Sequence, residues 1–189
     1  MPRTNHTLSV SCPIPSTLTP TDIIAALHNH TNLVTLQPLV VSYDEVTSTH
    51  EYEPDPYFDP SSSPIRAYEI VESVIVIPGV GNWGRYPVKV ICQFQNTEDG
   101  VKSRAVASAG VVLRATYHVH RSPSSSDDNE IRGYLDNASE WTLTEEATVE
   151  CSNWLMPFVK QSMEGAHKDI CQHLLNKIHV QLTDKVRYG

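Results

Sequence analysis

The feature that most constrains this chain is an apolar stripe near its C-terminal end. Over residues 153–179, Leu155, Phe158, Val159, Met163, Ala166, Ile170, Leu174 and Ile178 recur at three- and four-residue steps. That spacing draws a single apolar face along a helix of roughly six or seven turns. Lys160, Glu164, Lys168, Asp169 and Gln172 fall largely off the stripe. Pro157 fits only near the helix start, because a proline deeper inside removes a hydrogen bond and clashes with the preceding turn. Asn153 or Ser152 can cap the first turn. A helix this long and this one-sided needs a broad apolar surface to lie on.

Most of the preceding chain reads as strands, so that surface is a sheet. Residues 7–14, 39–46, 65–78, 86–96, 101–109, 111–121 and 141–151 carry the alternation or the apolar runs of strands. Leu39, Val41 and Tyr43 share one face of the second of these. Thr19-Pro20-Thr21-Asp22 is a helix start, with a capping threonine, a proline at the first helical position and an acid at the positive end. A second short helix is expected at residues 33–36. The proline- and serine-rich segment 48–64 and the acidic, serine-rich segment 122–140 read as long loops, and Gly79-Val80-Gly81-Asn82-Trp83-Gly84 as a turn. Asp99-Gly100 predicts a hairpin in which the glycine supplies a positive φ, and Gly110 a bulge or bend.

The totals exclude several classes of function. A net charge of −8, from 22 acids against 14 bases with no basic cluster, argues against nucleic acid as a partner. No run approaches the ~20 apolar residues of a membrane helix, so stable membrane insertion is not expected. The N-terminal stretch does not read as a signal peptide, and a reducing, cytoplasmic compartment is expected. Cys12, Cys92, Cys151 and Cys171 have neither metal-ligand nor redox spacing and read as small core residues. His118 and His120 point the same way from one strand but lack an evident third ligand, so no metal is assigned. His28 and His30 diverge near a helix end.

These elements predict one α+β domain over residues 1–189. A curved antiparallel sheet of six or seven strands wraps around a long C-terminal helix, with two short helices after the first strand. A strongly curved sheet does not close tightly on a straight rod, so a hollow is expected between them. This order of elements resembles the START/polyketide-cyclase superfamily of helix-grip proteins. Two sets of residues are similar to those of a fungal family of uncharacterised helix-grip proteins: Leu27-His28-Asn29-His30 with Leu36-Gln37-Pro38-Leu39-Val40, and Cys151-Ser152-Asn153 with Phe158-Val159-Lys160 and Ala166-His167. The resemblance spans residues 7–178. The superfamily holds lipid carriers, hormone receptors and cyclases, so the fold alone does not choose among them.

In such a hollow the informative residues are polar side chains on apolar faces. Trp141, Leu143, Glu145, Ala147, Val149 and Cys151 share one face of the last strand, which makes Glu145 a lone carboxylate on an apolar surface. It is a candidate general acid or base; the alternative is a rim position or an ion pair with Arg85 or Arg104. Tyr117 and Tyr43 carry hydroxyls on apolar strand faces, for a ligand or for the backbone. His167 borders the helical stripe, facing either the hollow or the surface. The resemblance implies an enzyme without cofactor that binds a hydrophobic polyketide-type molecule and closes a ring in it by aldol or lactone chemistry. Glu145, Tyr117 and His167 would be catalytic; Tyr43, Glu69, Arg85, Asn153 and Phe158 would contact the substrate. A monomer or homodimer is expected in either case, and the alternative function is a protein that binds or transfers a lipid or other hydrophobic ligand without catalysis.

Overall fold

Seven antiparallel strands form one sheet, in the order β1-β7-β6-β5-β4-β3-β2. The structure, a computed structural model, describes residues 2–46, 55–75, 85–122 and 140–188. The glycine turn expected at 79–84 and much of both expected loops lie outside the described residues. The strands are β1 (Arg3–Pro13), β2 (Val40–Val46), β3 (Arg66–Ile75), β4 (Arg85–Asn96), β5 (Gly100–Ala107), β6 (Val111–Arg121) and β7 (Trp141–Ser152). The helices are α1 (Pro20–His28), α2 (Thr31–Val34), α3 (Met156–His167) and α4 (Ile170–Tyr188). This is the helix-grip arrangement that the order of elements predicts. Among the described residues no helix is long and apolar enough to cross a membrane.

Local chemistry explains most of the boundaries. α1 starts on a reciprocal cap: Thr19 Oγ1 accepts from the Asp22 amide at 3.2 Å, and Asp22 Oδ2 accepts from the Thr19 amide at 3.0 Å. Leu143, Glu145, Ala147, Val149 and Cys151 of β7 face inward, as the alternation requires, while Glu146 faces out. The edge strand β2 does not bury its expected face, for Val41 and Tyr43 are both exposed. Gly110 adopts φ 73° beside Ala109 at φ 62°, in the tight turn between β5 and β6.

The C-terminal stripe forms two helices instead of one rod. A turn at Lys168 and Asp169 separates α3 from α4. The buried positions are Met163, His167, Ile170, Cys171, Leu174, Leu175 and Ile178. They keep helical spacing across the break, so the bend lets both halves follow the curve of the sheet. Neither Asn153 nor Ser152 caps α3, whose first turn follows Leu155 without a side-chain cap. Phe158, counted into the stripe, is 67% exposed. The four cysteines are free thiols, three of them buried and Cys12 half-buried.

Residues 55–64 pack across the outer face of β4–β6. Arg114 donates to Asp55 Oδ2 at 2.7 Å, Tyr57 Oη meets Thr116 Oγ1 at 2.8 Å, and Gln95 bonds the Asp59 amide and carbonyl. Arg104 Nε lies 2.6 Å from Asp55 Oδ2 but is poorly aligned; its guanidinium donates instead to Gln93 at 3.0 Å. Burial works against the charge of Asp55, but the Arg114 bond, the Tyr57 amide and the two guanidiniums outweigh it and hold its carboxyl below the usual range. A depressed carboxyl contributes stability above its unfolded pKa and loses it as pH falls through the folded value. Asp55→Asn is therefore expected to cost about 2 kcal/mol near neutrality. Its stability should also fall less steeply than that of the parent below about pH 4, as read from urea midpoints at a series of pH values.

Candidate functional site

Strand register sets Tyr117 of β6 directly opposite Glu145 of β7 on the inner face. Side chains paired this way lie within reach of each other. The Tyr117 hydroxyl donates to Glu145 Oε1 at 2.5 Å. His167, the last residue of α3, brings Nδ1 to the same oxygen at 2.6 Å. Glu145 is 0% exposed, Tyr117 3% and His167 4%. One carboxylate oxygen thus ties two strands to the helix. Arg104, offered by the sequence as a partner for Glu145, sits on the outer face instead.

The bond pattern selects the tautomer of the imidazole. An oxygen that receives the tyrosine proton accepts from His167 as well, so Nδ1 carries a hydrogen and the neutral ring keeps its lone pair on Nε2. No described residue bonds that nitrogen. Glu145 Oε2 is likewise buried without a protein partner. Burial, then the charge and bond of Glu145, push the Tyr117 hydroxyl well above its ordinary range, so it remains a donor. Burial and the Glu145 charge push Cys171 up to about 12, which leaves that thiol unreactive.

A fourth polar residue lies on the same inner face and was not singled out from the sequence. Glu72 of β3 pairs in register with Val40 and Val88. It is half-buried, and desolvation raises its carboxyl pKa while the nearby His167 opposes the shift. Burial, then the field of Glu72, pushes Cys92 up to about 12. Strand β3 is apolar on both faces, which hides this orientation; the cleaner alternation of β4 (Val88, Val90, Cys92, Phe94) is the signal that reveals it once register is known.

The remaining expected residues lie elsewhere. Glu69 is on the outer face, paired with Lys89 at 2.7 Å. Tyr43 is exposed at the sheet edge, and Asn153 and Phe158 are exposed around the start of α3. Arg85 opens β4 opposite Ile75, and its side chain lies outside the described residues. The His118 and His120 rings are 5.0 Å apart with no third metal ligand among the described residues. His28 and His30 diverge, the first bonding the carbonyls of Thr97 and Gly100, the second Asn96.

The expected hollow is filled around Glu145. Ile23, Leu27, Val101, Leu143, Ala147, Cys171 and Leu174 are all 0% exposed, so no water-sized void touches them. The bend before Ile170 allows this, because α4 no longer has to bridge the sheet as part of a straight rod. At the other end, Val88, Ala105, Ala107, Val111 and Leu113 are apolar, inward-facing and half-exposed. There the inner face of the sheet keeps part of its exposure to solvent. A shallow pocket of about 300 Å³ at Arg3, Thr4, Asn5 and Glu150 lies at the β1 edge, at the same end of the sheet.

Comparison with solved structures places the fold among known ones. The crystal structure of TTHA0849 from Thermus thermophilus superposes with a TM-score of 0.55 at 11% identity, covering 94% of this chain and 99% of that one. The crystal structure of Ara h 8.0201 gives a TM-score of 0.48 at 12% identity, covering 92% and 99%. No curated protein matches the sequence. The model of one family, a domain of unknown function designated DUF7053, matches residues 3–180, which include every strand, Glu72, Tyr117, Glu145 and His167; the chain belongs to that family.

Proposed function

We propose that the protein binds an apolar small molecule between α3 and the partly exposed end of the inner sheet face. Without a cofactor, it closes that molecule into a ring by moving protons through His167. The observation that carries this reading is the bond from His167 Nδ1 to Glu145 at 2.6 Å, which leaves Nε2 as the free base. In an aldol closure Nε2 takes a proton from a carbon flanked by carbonyls. The enolate carbon then bonds to a second carbonyl carbon of the same molecule, and the imidazolium returns its proton to the new alkoxide. All substrate atoms remain in the product. Glu145 orients the ring and offsets its positive charge, and Tyr117, whose hydroxyl is committed to Glu145, is a positioning residue. Apolar walls lower the entropic part of the barrier by holding a flexible chain folded.

Polyketide-type chains carry carbonyls at the spacing this chemistry uses. The superfamily resemblance supports that substrate class, and the short motifs shared with fungal proteins support a place in fungal secondary metabolism, in the cytoplasm. The test is incubation of the purified protein with a linear poly-β-ketone thioester. A cyclised product is expected, and His167→Gln should lower its rate by about 10²-fold or more while leaving binding in place. Full activity in that variant sinks the assignment. The packing around Glu145 favours a second reading, a carrier that holds a hydrophobic ligand and performs no reaction. Unchanged ligand that co-purifies, with no product, would select it.

A further inference from the structure

We infer that the ligand of this partly exposed end is an apolar chain bearing a protonated amine, and that Glu72 receives the amine. The inference rests on the binding site proposed above and names the class of molecule it takes. Its first support is placement. Glu72 stands on the inner face beside Val88, at the end where Ala105, Ala107, Val111 and Leu113 are half-exposed. β7 delivers the chain to that same end next to Val112, so α3 begins there and lends its half-buried Met156 and Val159.

The second support is what Glu72 lacks. Glu69, three residues away on the opposite face, has Lys89 at 2.7 Å. Glu72 makes no ion pair or hydrogen bond with any described residue, although it has lost much of its water. Burial raises its pKa accordingly. The charge of His167 acts on Glu72, so the two groups face the same interior. Deeper in the same interior, Glu145 Oε2 is buried without a partner. The described cations at this end are held by other carboxylates: Arg3 by Glu150, Arg114 by Asp55 and Lys160 by Glu164. An anionic head group would meet two carboxyls and cations already paired, whereas an ammonium supplies the missing charge.

The test is displacement of Nile red, a neutral dye, by three molecules of equal chain length: dodecylamine, dodecanol and dodecanoate. The amine is expected to displace the dye at least about tenfold more tightly than the alcohol, the scale on which a nearby opposite charge acts. The acid should be weakest. Glu72→Gln should erase the advantage of the amine and leave the affinity for dodecanol in place, which also reports that the variant is folded. Glu146→Gln removes the same charge from the outer face and should change nothing. Dodecanoate binding as tightly as the amine, or an amine preference that survives Glu72→Gln, overturns the inference while leaving the binding site standing. Failure of all three molecules and of the dye to bind removes the site itself, and the inference with it.

Discussion

Glu145→Ala should cost about 3–5 kcal/mol of folding stability, the scale of breaking one partner out of a buried polar network. The substitution strands two donors at once. The Tyr117 hydroxyl and the His167 Nδ1–H both lie in the protein interior, and both depend on Glu145 Oε1. Each unsatisfied donor carries a desolvation penalty of roughly 1–3 kcal/mol, and the lost side chain leaves a void. Glu145→Gln keeps an acceptor at the same place and should cost much less. The midpoint of urea unfolding measures both, and a loss below about 1 kcal/mol for the alanine variant would mean that the paired bonds are not formed. A triple variant, Glu145→Leu with Tyr117→Phe and His167→Leu, separates stability from function. Apolar replacement of a buried polar network is often neutral or stabilising. If the triple variant recovers the stability of the parent, the network is not needed to hold the fold, and the proton chemistry of His167 gains weight as its purpose.

How far that network was legible in the sequence depends on which distances the chain encodes locally. Alternation along β7 was enough to put Glu145 on the buried face, because a period of two survives without knowledge of any partner strand. The meeting of Glu145 with Tyr117 was not legible. It depends on the register of β6 against β7, and the segment 122–140 between them does not fix a register by its length. His167 was placed at the border of the stripe and lies in its centre. The buried positions keep helical spacing through the turn at Lys168 and Asp169, but a stripe drawn through Leu155, Phe158 and Ala166 has its centre displaced from His167. The same reading put Phe158 on the buried side. In the fold, the buried positions of α3 begin at Met163, and Phe158 is exposed. Glu72 was passed over in favour of Glu69 because β3 is apolar on both faces, so its pattern carries no sign of which side is in. The order of elements brought the architecture, and the family resemblance that followed it added no residue of the site beyond His167, which its short motif includes.

Gly100→Ala is the other substitution with a large expected effect, about 3 kcal/mol, the upper end of the usual cost of overpacking a tight site. The sequence assigned Gly100 the positive φ of an Asp-Gly hairpin. The structure gives it a different reason: Gly110 is the glycine with positive φ among the described residues, and Gly100 is not. A Cβ at Gly100 would stand 2.0 Å from the carbonyl oxygen of Tyr117 and 2.9 Å from its carbonyl carbon. Those atoms are backbone, so no side chain can rotate away. Relief requires β5 to separate from β6 where Gly100 pairs with His118 and Val101 with Tyr117. Three further bonds converge on this corner: Thr97 N–H to the Gly100 carbonyl, Val119 N–H to the Asp99 carbonyl, and the His28 ring to the Gly100 carbonyl. Separation therefore disturbs the turn and the seat of α1 together, and it shifts Tyr117 relative to Glu145. The variant should show two linked changes: a lower urea midpoint, and faster hydrogen exchange of the β5 and β6 amides than of those in β3. A glycine needed only for turn conformation would lose stability without moving Tyr117. The discriminating measurement is the Tyr117 hydroxyl, whose proton resonance far downfield marks its short bond to Glu145; an unchanged resonance in Gly100→Ala would show that this corner does not set the position of the site.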